Sequence, residues 1–476
     1  MISHKTVQLC LILVSGLLVA VPYPIVDTAL NRFFDDKVEV KAIKKGTPFF
    51  GQDANYQGNK TSYSDHKNGT VTDNVTGLTW QQVPTKKETL ADSIKSATKC
   101  RLGGFSDWRV PTIKELYSLI IFSGTDPDPM ATSTAGLNPF IDTNYFPFKY
   151  GDSSKGERII DSQYGSQTKY VSTTMNGNST MFGVNFGDGR IKGYPSKKEF
   201  YFIFVRGNKN YGQNDFKVNP KYTISDRATG LMWMRVDSGL LKAGKMNWEE
   251  ALAWAENLDF GGFSDWRLPN IKELQSIVDY SRSPKTTKSP AISPLFKLTK
   301  IKDEGGSDNF PCYWSSSTHK STRGAEAADY IAFGEALGWM TDRKTGKKEL
   351  LDVHGAGCQR SDPKSGDASQ FPYGRGPQGD VIRIENYVIC VRGGVAKLVT
   401  EGPALESKSV KRDSKSTKKG PSSDRRKGLI DKCDKDGDHR VSEKEFKGPS
   451  QHFKHLDKNR DGYITEDEAK NGKRRN

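Results

Sequence analysis

Cysteine is scarce in this sequence, six in 476 residues, and no two stand as Cys-x-x-Cys. That spacing argues against a structural zinc site. There is no Gly-x-Ser-x-Gly elbow, no His-Glu-x-x-His helix and no Walker loop, so the reactions those motifs serve have nothing to rest on. Histidine is nearly as sparse. The seven include His66, His319, His354, His439, His452 and His455, mostly in polar stretches, and each reads as solvated rather than catalytic. Acid is in deficit: 57 Asp and Glu against 72 Lys and Arg, a formal net charge of +15. Such a balance suits nucleic acid, an anionic surface or an acidic polysaccharide. Nucleic acid is set aside, because no basic-plus-aromatic binding motif accompanies the charge. Part of the excess is local, since residues 395–428 hold ten Lys/Arg and four Asp/Glu. Apolar residues make up only 34%, and mean hydropathy is −0.67.

Glycine (46 residues) and aromatics (10%) are plentiful. That mix suits loop-rich domains of short strands and turns, not bundles or coiled coils. The N-terminus has the pattern of an export signal. Residues 1–8 carry His4 and Lys5 and no acid, residues 9–21 are almost wholly apolar, and Pro22 and Pro24 follow. Residues 1–26 are read as a signal peptide, with Asp27-Thr28-Ala29 as a small-residue cleavage site. The apolar run is short for a membrane span of about 20 residues. An uncleaved anchor is the alternative, because apolar character continues to Val26, and it is the one route by which a membrane would be involved. Cys10 lacks the Leu-x-x-Cys surroundings of a lipidation site. The chain is thus expected outside the cytoplasm: secreted, periplasmic or at the cell surface.

The main body is an internal duplication. Thr72-Asp-Asn-Val-Thr-Gly-Leu-Thr-Trp80 matches Ser225-Asp-Arg-Ala-Thr-Gly-Leu-Met-Trp233, and Gly103-Gly-Phe-Ser-Asp-Trp-Arg-Val-Pro111 matches Gly261-Gly-Phe-Ser-Asp-Trp-Arg-Leu-Pro269. Thr112-Ile-Lys-Glu-Leu116 matches Asn270-Ile-Lys-Glu-Leu274, and the copies close on Val205-Arg-Gly207 and Val391-Arg-Gly393. Two large units are too few for a solenoid. The organisation expected is an extension over 27–60, repeat one over 61–210, repeat two over 215–395, a basic flexible linker over 396–427 and a C-terminal module over 428–476.

Each repeat reads as a turn into a strand, two helices, then short strands and long loops. Gly77 and Gly230 suit positive φ. In repeat two a helix starts at Asn247, with Glu250 completing a capping box and Trp248, Ala251, Leu252 and Ala255 on one face. Gly-Gly is expected to end that helix, and Pro111 or Pro269 to start the next. Ile113, Leu116, Leu119 and Ile120 form the buried face of that second helix in repeat one. Tyr170–Thr174 aligns with Tyr313–Ser317 as a strand. Helices on a mostly antiparallel sheet give an α+β architecture. Asp107-Trp108-Arg109 and Asp265-Trp266-Arg267 invite a ligand-site reading, but such groups more often make bonds internal to the fold. In an exported protein disulfides are permitted. The favoured bridge lies in repeat two, among Cys312, Cys358 and Cys390.

These motifs resemble the Lcl C-terminal domain family, over most of the chain after the signal. The resemblance implies an exported bacterial protein and tandem C-type-lectin-like domains, a fold shared with formylglycine-generating enzymes. It also implies a cysteine pair linking the Gly-Gly region to the closing strand. Here each copy keeps half of that pair: Cys100 faces Phe204, and Cys390 faces Leu258. The Glu-Pro-Asn, Gln-Pro-Asp and Trp-Asn-Asp triplets of sugar-binding C-type lectins are absent. So is the late cysteine pair of the formylglycine-generating enzymes.

The last segment carries the most specific chemistry. Asp434, Asp436, Asp438, Arg440, Ser442 and Glu445 fall at positions 1, 3, 5, 7, 9 and 12 of a calcium loop, and Asp457, Asn459, Asp461, Tyr463, Thr465 and Glu468 repeat the pattern. Calcium takes six to eight hard oxygens, and alternating positions around the turn aim them inward; Arg440 and Tyr463 contribute backbone carbonyls. This is the signature of an EF-hand pair, a small all-α module with Ca2+ as its cofactor. Val441 and Ile464, both at position 8, are expected to pair and join the loops. Loop two has Gly462 at the sharp bend, where loop one has His439. Only eleven residues separate the loops, so Phe446, Phe453 and Leu456 must form a small core with Leu429 and Ile430. A non-enzymatic exported protein is expected, whose repeats bind an acidic glycan or a surface protein. The alternatives are an enzyme on a formylglycine-generating-type scaffold and a structural, calcium-rigidified envelope component.

Overall fold

The computed structural model describes residues 22–342, 344–401, 433, 440–446, 453, 456–457 and 462–465. The apolar segment up to residue 21 and residues 402–427 of the expected linker lie outside them. The chain divides into two units, 1–405 and 406–476.

Within the first unit each repeat opens with three antiparallel strands and is closed by a fourth. In repeat one Tyr63–Asp65, Thr70–Asp73 and Thr79–Gln81 are completed by Val205–Arg206. In repeat two Phe216–Asn219, Thr223–Asp226 and Leu231–Met234 are completed by Val391–Gly393. The Asp-x-x-Thr-Gly turn explains itself. Asp73 Oδ1 accepts the Val75 N–H at 2.9 Å, and Gly77 donates back to the Asp73 carbonyl at 2.8 Å. Gly77 and Gly230 take φ of 71° and 74°, where a β-carbon would be strained. The chain then delivers Trp80 and Trp233, fully buried, to the core.

The helices are α1 (Leu90–Lys99) and α2 (Ile113–Ser118) in repeat one, α3 (Trp248–Glu256) and α4 (Ile271–Ser276) in repeat two. The capping box at Asn247 and the buried face of α3 are as expected. Two boundaries differ from expectation. Pro111 and Pro269 stand one residue before the N-caps, because the Thr112 and Asn270 side chains accept the N–H of Glu115 and Glu273 and take that position. Gly103-Gly104 and Gly261-Gly262 lie beyond the helix ends and do not cap them. Their role is close approach. A β-carbon on Gly103 would sit 2.9 Å from Thr70 Cγ2, and one on Gly261 2.8 Å from Thr223 Cγ2.

The Asp-Trp-Arg motif is internal wiring. Arg109 grips Glu115 (Nη1 to Oε2 2.7 Å), and Arg267 grips Glu273 through two bonds of 2.6 Å. The same glutamates complete the capping boxes of α2 and α4. Asp107 accepts from Arg206 at 2.7 Å and Asp265 from Arg392 at 2.6 Å, tying the motif to the closing Val-Arg-Gly strand. The indoles of Trp108 and Trp266 donate to Leu102 O and Phe260 O.

The copies are not separate bodies. Gln163–Thr174, Asn178–Asn185 and Arg190–Pro195 of repeat one meet Gln359–Pro363, Gly324–Ala332 and Cys312–Ser321 of repeat two in one six-stranded sheet. The seam is the antiparallel pairing of Gln359 with Ile191. One apolar core runs through both copies. The helices exchange lysines as well. Lys114 of α2 donates to Ser276 O at the end of α4 (2.6 Å), and Lys272 of α4 donates to Ser118 O at the end of α2 (3.0 Å). Each ammonium thus satisfies a carbonyl left open at the other copy's helix end. Burial pushes both lysines down to about 8, against the pull of Asp226 on Lys114 and Asp27 on Lys272.

The strand equivalence also differs from expectation. Tyr164, not Tyr170, corresponds to Tyr313. Both begin the outer strand, opposite Val184 and Ile331, and four residues on Thr168 and Ser317 accept the N–H of Ile113 and Ile271. Gly165 therefore stands where repeat two has Trp314. Phe202 fills the space, since a β-carbon on Gly165 would lie 2.5 Å from its ring.

The extension is part of the body, and so are residues 22–26, expected to belong to the signal peptide. Tyr23, Val26, Phe33 and Phe34 are buried, and Tyr23 packs edge-on against Tyr211 with ring centroids 4.6 Å apart. A cut at Asp27-Thr28-Ala29 would take Tyr23 and Val26 out of this core. At the other end Lys397–Leu398, expected in the linker, instead pairs with Tyr56–Gln57. No disulfide forms among the described residues; Cys100, Cys312, Cys358, Cys390 and Cys433 are free thiols. The bridge expected in repeat two is prevented by the sheet. Cys312 pairs with Ala332, whose other side meets Cys358, so the two thiols sit two strand spacings apart, about 10 Å, beyond disulfide reach. Cys390 lies against Met234 on the other sheet. Burial raises all three thiols, Cys312 to about 12.

Candidate calcium loops and the cavity at the repeat seam

In the C-terminal unit Val441–Ser442 pairs antiparallel with Tyr463–Ile464, Val441 opposite Ile464 and Ser442 opposite Tyr463. This is the pairing expected between the two loops. Val441, Ile464, Phe453, Leu456 and Cys433 form a small core, with Phe446 packed against it. Leu429 and Ile430, expected there too, lie outside the described residues.

Of the expected ligands, Arg440, Ser442, Glu445, Asp457, Tyr463 and Thr465 are described. Asp434, Asp436, Asp438, Asn459, Asp461 and Glu468 are not. Glu445 Oε2 accepts from the Ser442 N–H (2.9 Å) and hydroxyl (2.7 Å), so positions 9 and 12 of loop one already converge. In loop two Gly462 turns with φ of 87° and donates its N–H to Asp457 Oδ2 at 3.1 Å, joining positions 6 and 1. Asp457 is buried, and its Oδ1 has no hydrogen-bond partner among the described residues. A buried carboxylate oxygen without a partner is costly unless something cationic meets it. Hard oxygens of this kind fit calcium. Among the described residues no three His, Cys, Asp or Glu side chains gather as a metal site.

The first unit holds a second charged centre, at the seam of the six-stranded sheet. His319 and His354, expected to be solvated, are both buried. His319 Nδ1 bonds Asp329 at 2.9 Å, Nε2 lies 3.4 Å from Asp126, and the ring stacks on Phe140. Burial and Arg190 oppose protonation of His319, but Asp329 and Asp126 outweigh them and raise its pKa. His354 bonds Asp380 at 2.7 Å, yet burial pushes it down to about 4. Asp380 also receives Arg360, and Asp126 also receives Arg190 at 2.8 Å. Asp126, Arg190, His319, Arg360 and Asp380 line a cavity of about 570 Å³ with lining from both repeats. A local signal existed: polar residues at alternate positions in Arg190-x-Lys192-x-Tyr194 and Arg360-x-Asp362.

These features define a class: a duplicated α+β body whose copies share one sheet. The sequence model of the Lcl C-terminal domain matches residues 69–206 and again residues 222–352, more than half of the chain. The chain belongs to the Lcl C-terminal domain family. None of the curated proteins and none of the solved structures compared matches it. Among the described residues no helix is long and apolar enough to cross a membrane.

Proposed function

We propose that residues 428–476 are a compact EF-hand pair that binds calcium, carried by an exported, non-enzymatic protein whose fused C-type-lectin-like repeats bind an acidic glycan or a surface protein. What carries the calcium half is the pairing of the two loops at Val441 and Ile464, with the buried Asp457 Oδ1 in loop two, which has no hydrogen-bond partner among the described residues. Two calcium-type loops of twelve residues in tandem, joined at their eighth positions, leave little room for a chance acidic surface. Asp434, Asp436, Asp438, Ser442, Glu445 and the Arg440 carbonyl would hold one ion. Asp457, Asn459, Asp461, Thr465, Glu468 and the Tyr463 carbonyl would hold the other. A module of 49 residues buries too little to stand firmly without metal, so binding and folding are coupled.

Cys433 provides the test, because it is buried in that small core. In the full chain, iodoacetamide labelling followed by mass spectrometry should find Cys433 protected in millimolar calcium and labelled in EDTA. Equal labelling in both conditions contradicts the reading. The partner-binding half is supported by the net charge of +15 and by the buried arginine donors at the seam cavity, on Arg190, Arg360 and Arg375, that have no hydrogen-bond partner among the described residues.

A further inference from the structure

We infer that the cavity at the repeat seam binds a small molecule bearing an oxyanion, a carboxylate above all. The inference rests on the partner-binding half of the reading above and deepens it by placing the site. The floor is made where the Arg190–Pro195 strand of repeat one meets the Gln359–Pro363 strand of repeat two. The pairing of Ile191 with Gln359 fixes the register, and side chains alternate. Arg190 and Lys192 therefore share a face with Arg360, while Ile191 points into the core. Three cations are thus gathered on neighbouring strands of different copies. Burial first, then Arg360 and Arg190, lower the pKa of Lys192.

The acids at this floor are already taken. Asp126 is shared by Arg190 and His319, Asp188 by Lys192 and Arg190, and Asp380 by Arg360 and His354. Above the floor, Arg323 and Arg375 also line the cavity. Neither has an ion-pair partner among the described residues, and Arg375 rests over the Phe371 ring at 5.0 Å. Arg323 lowers the pKa of Arg375, after burial the largest cause. Asp362 and Glu326 pull the other way on Arg375, but Arg375 Nε, Arg360 Nε and Nη1 and Arg190 Nε are buried donors with no hydrogen-bond partner among the described residues. Guanidinium donors left open around one cavity mark the place for an anion, and they suit the planar carboxylate. Asp362, which also lines the cavity, is pushed up to about 7 by burial. At neutral pH it is partly protonated, and in that form it repels an anion less. The volume of about 570 Å³ lies in the range of small-molecule sites, roughly 300–1,000 Å³. It holds one or two sugar-sized rings, not a folded partner.

The test uses the full chain in calcium at constant ionic strength. D-glucuronate is the carboxylate probe, inorganic phosphate the alternative oxyanion and D-glucose the uncharged control, read by calorimetry and thermal shift. Glucuronate should bind and raise Tm, and glucose should not. A chain carrying both Arg323→Gln and Arg375→Gln, which lie outside the seam strands, should bind glucuronate at least tenfold more weakly with an unchanged circular dichroism spectrum. Binding of phosphate but not glucuronate would keep the oxyanion site and reassign its source. Glucuronate binding that survives both replacements overturns this site while leaving partner binding intact. No binding of either oxyanion overturns the site, and a parallel failure to retain any acidic polysaccharide or surface protein would overturn the partner-binding reading too.

Discussion

Replacing Glu273 with Gln removes one charge and almost no volume. Glu273 receives both guanidinium arms of Arg267 at 2.6 Å and the Asn270 N–H at 3.0 Å. The two side chains are 9% and 6% exposed, so Arg267 would be left charged and buried without a carboxylate. Breaking a buried pair from one side costs about 3–5 kcal/mol. The equivalent Glu115→Gln should cost less, because the Arg109 side chain is 19% exposed and water takes over part of the lost solvation. The shared sheet and core require more: the loss must not stay in repeat two. Urea unfolding followed by tryptophan fluorescence and by circular dichroism should show one transition for residues 22–401, moved to lower urea with unchanged slope. Replacing both partners by Met should recover part of the loss, since no orphaned charge then remains. A cost below about 1 kcal/mol would refute the pairing argument. Two separate transitions, with only one moved, would refute the fused body.

The exchanged lysines set a pH dependence. Both have folded pKa values lowered to about 8 from 10.5, so the unfolded chain binds more protons between about pH 8 and 10. Stability should rise with pH across that window, by up to about 1.4 kcal/mol per pH unit from each lysine. Lys272→Met should reduce that slope in denaturation measured at stepped pH, and an unchanged slope would contradict the assignment. Cys312, Cys358 and Cys390 should resist thiol reagents in the native chain and react on unfolding, with no change in mass on reduction; a disulfide-linked peptide would contradict this. Because Tyr23 and Val26 are core residues, an exported chain whose signal is cut should begin at or before Tyr23. Mass spectrometry finding a stable native protein that begins after Ala29 would contradict that packing.

The sequence made local features legible. The capping box at Asn247, the buried face of α3, the positive-φ turns at Gly77 and Gly230 and the pairing of Val441 with Ile464 follow from spacing alone. Relations between distant segments were hidden. The seam rests on a backbone pairing of Ile191 with Gln359, which leaves no motif. The strand equivalence was masked because Gly165 replaces Trp314 while Phe202, in place of Val388, restores the volume. His319 and His354 sit in polar stretches, but their polar neighbours are partners in a buried network rather than a solvated surface. The expected disulfide failed because sequence places cysteines in the same repeat without showing that a strand runs between them. The twelve positions proposed for calcium follow from loop spacing in the sequence, and six of them fall among the described residues.

The most direct test is a calorimetric calcium titration of the full chain. Two ions per chain should bind, at or somewhat tighter than the 10⁻⁴–10⁻³ M range of extracellular modules. The double replacement Glu445→Gln and Glu468→Gln should abolish the heat. No heat at millimolar calcium, or heat that survives both replacements, contradicts the account.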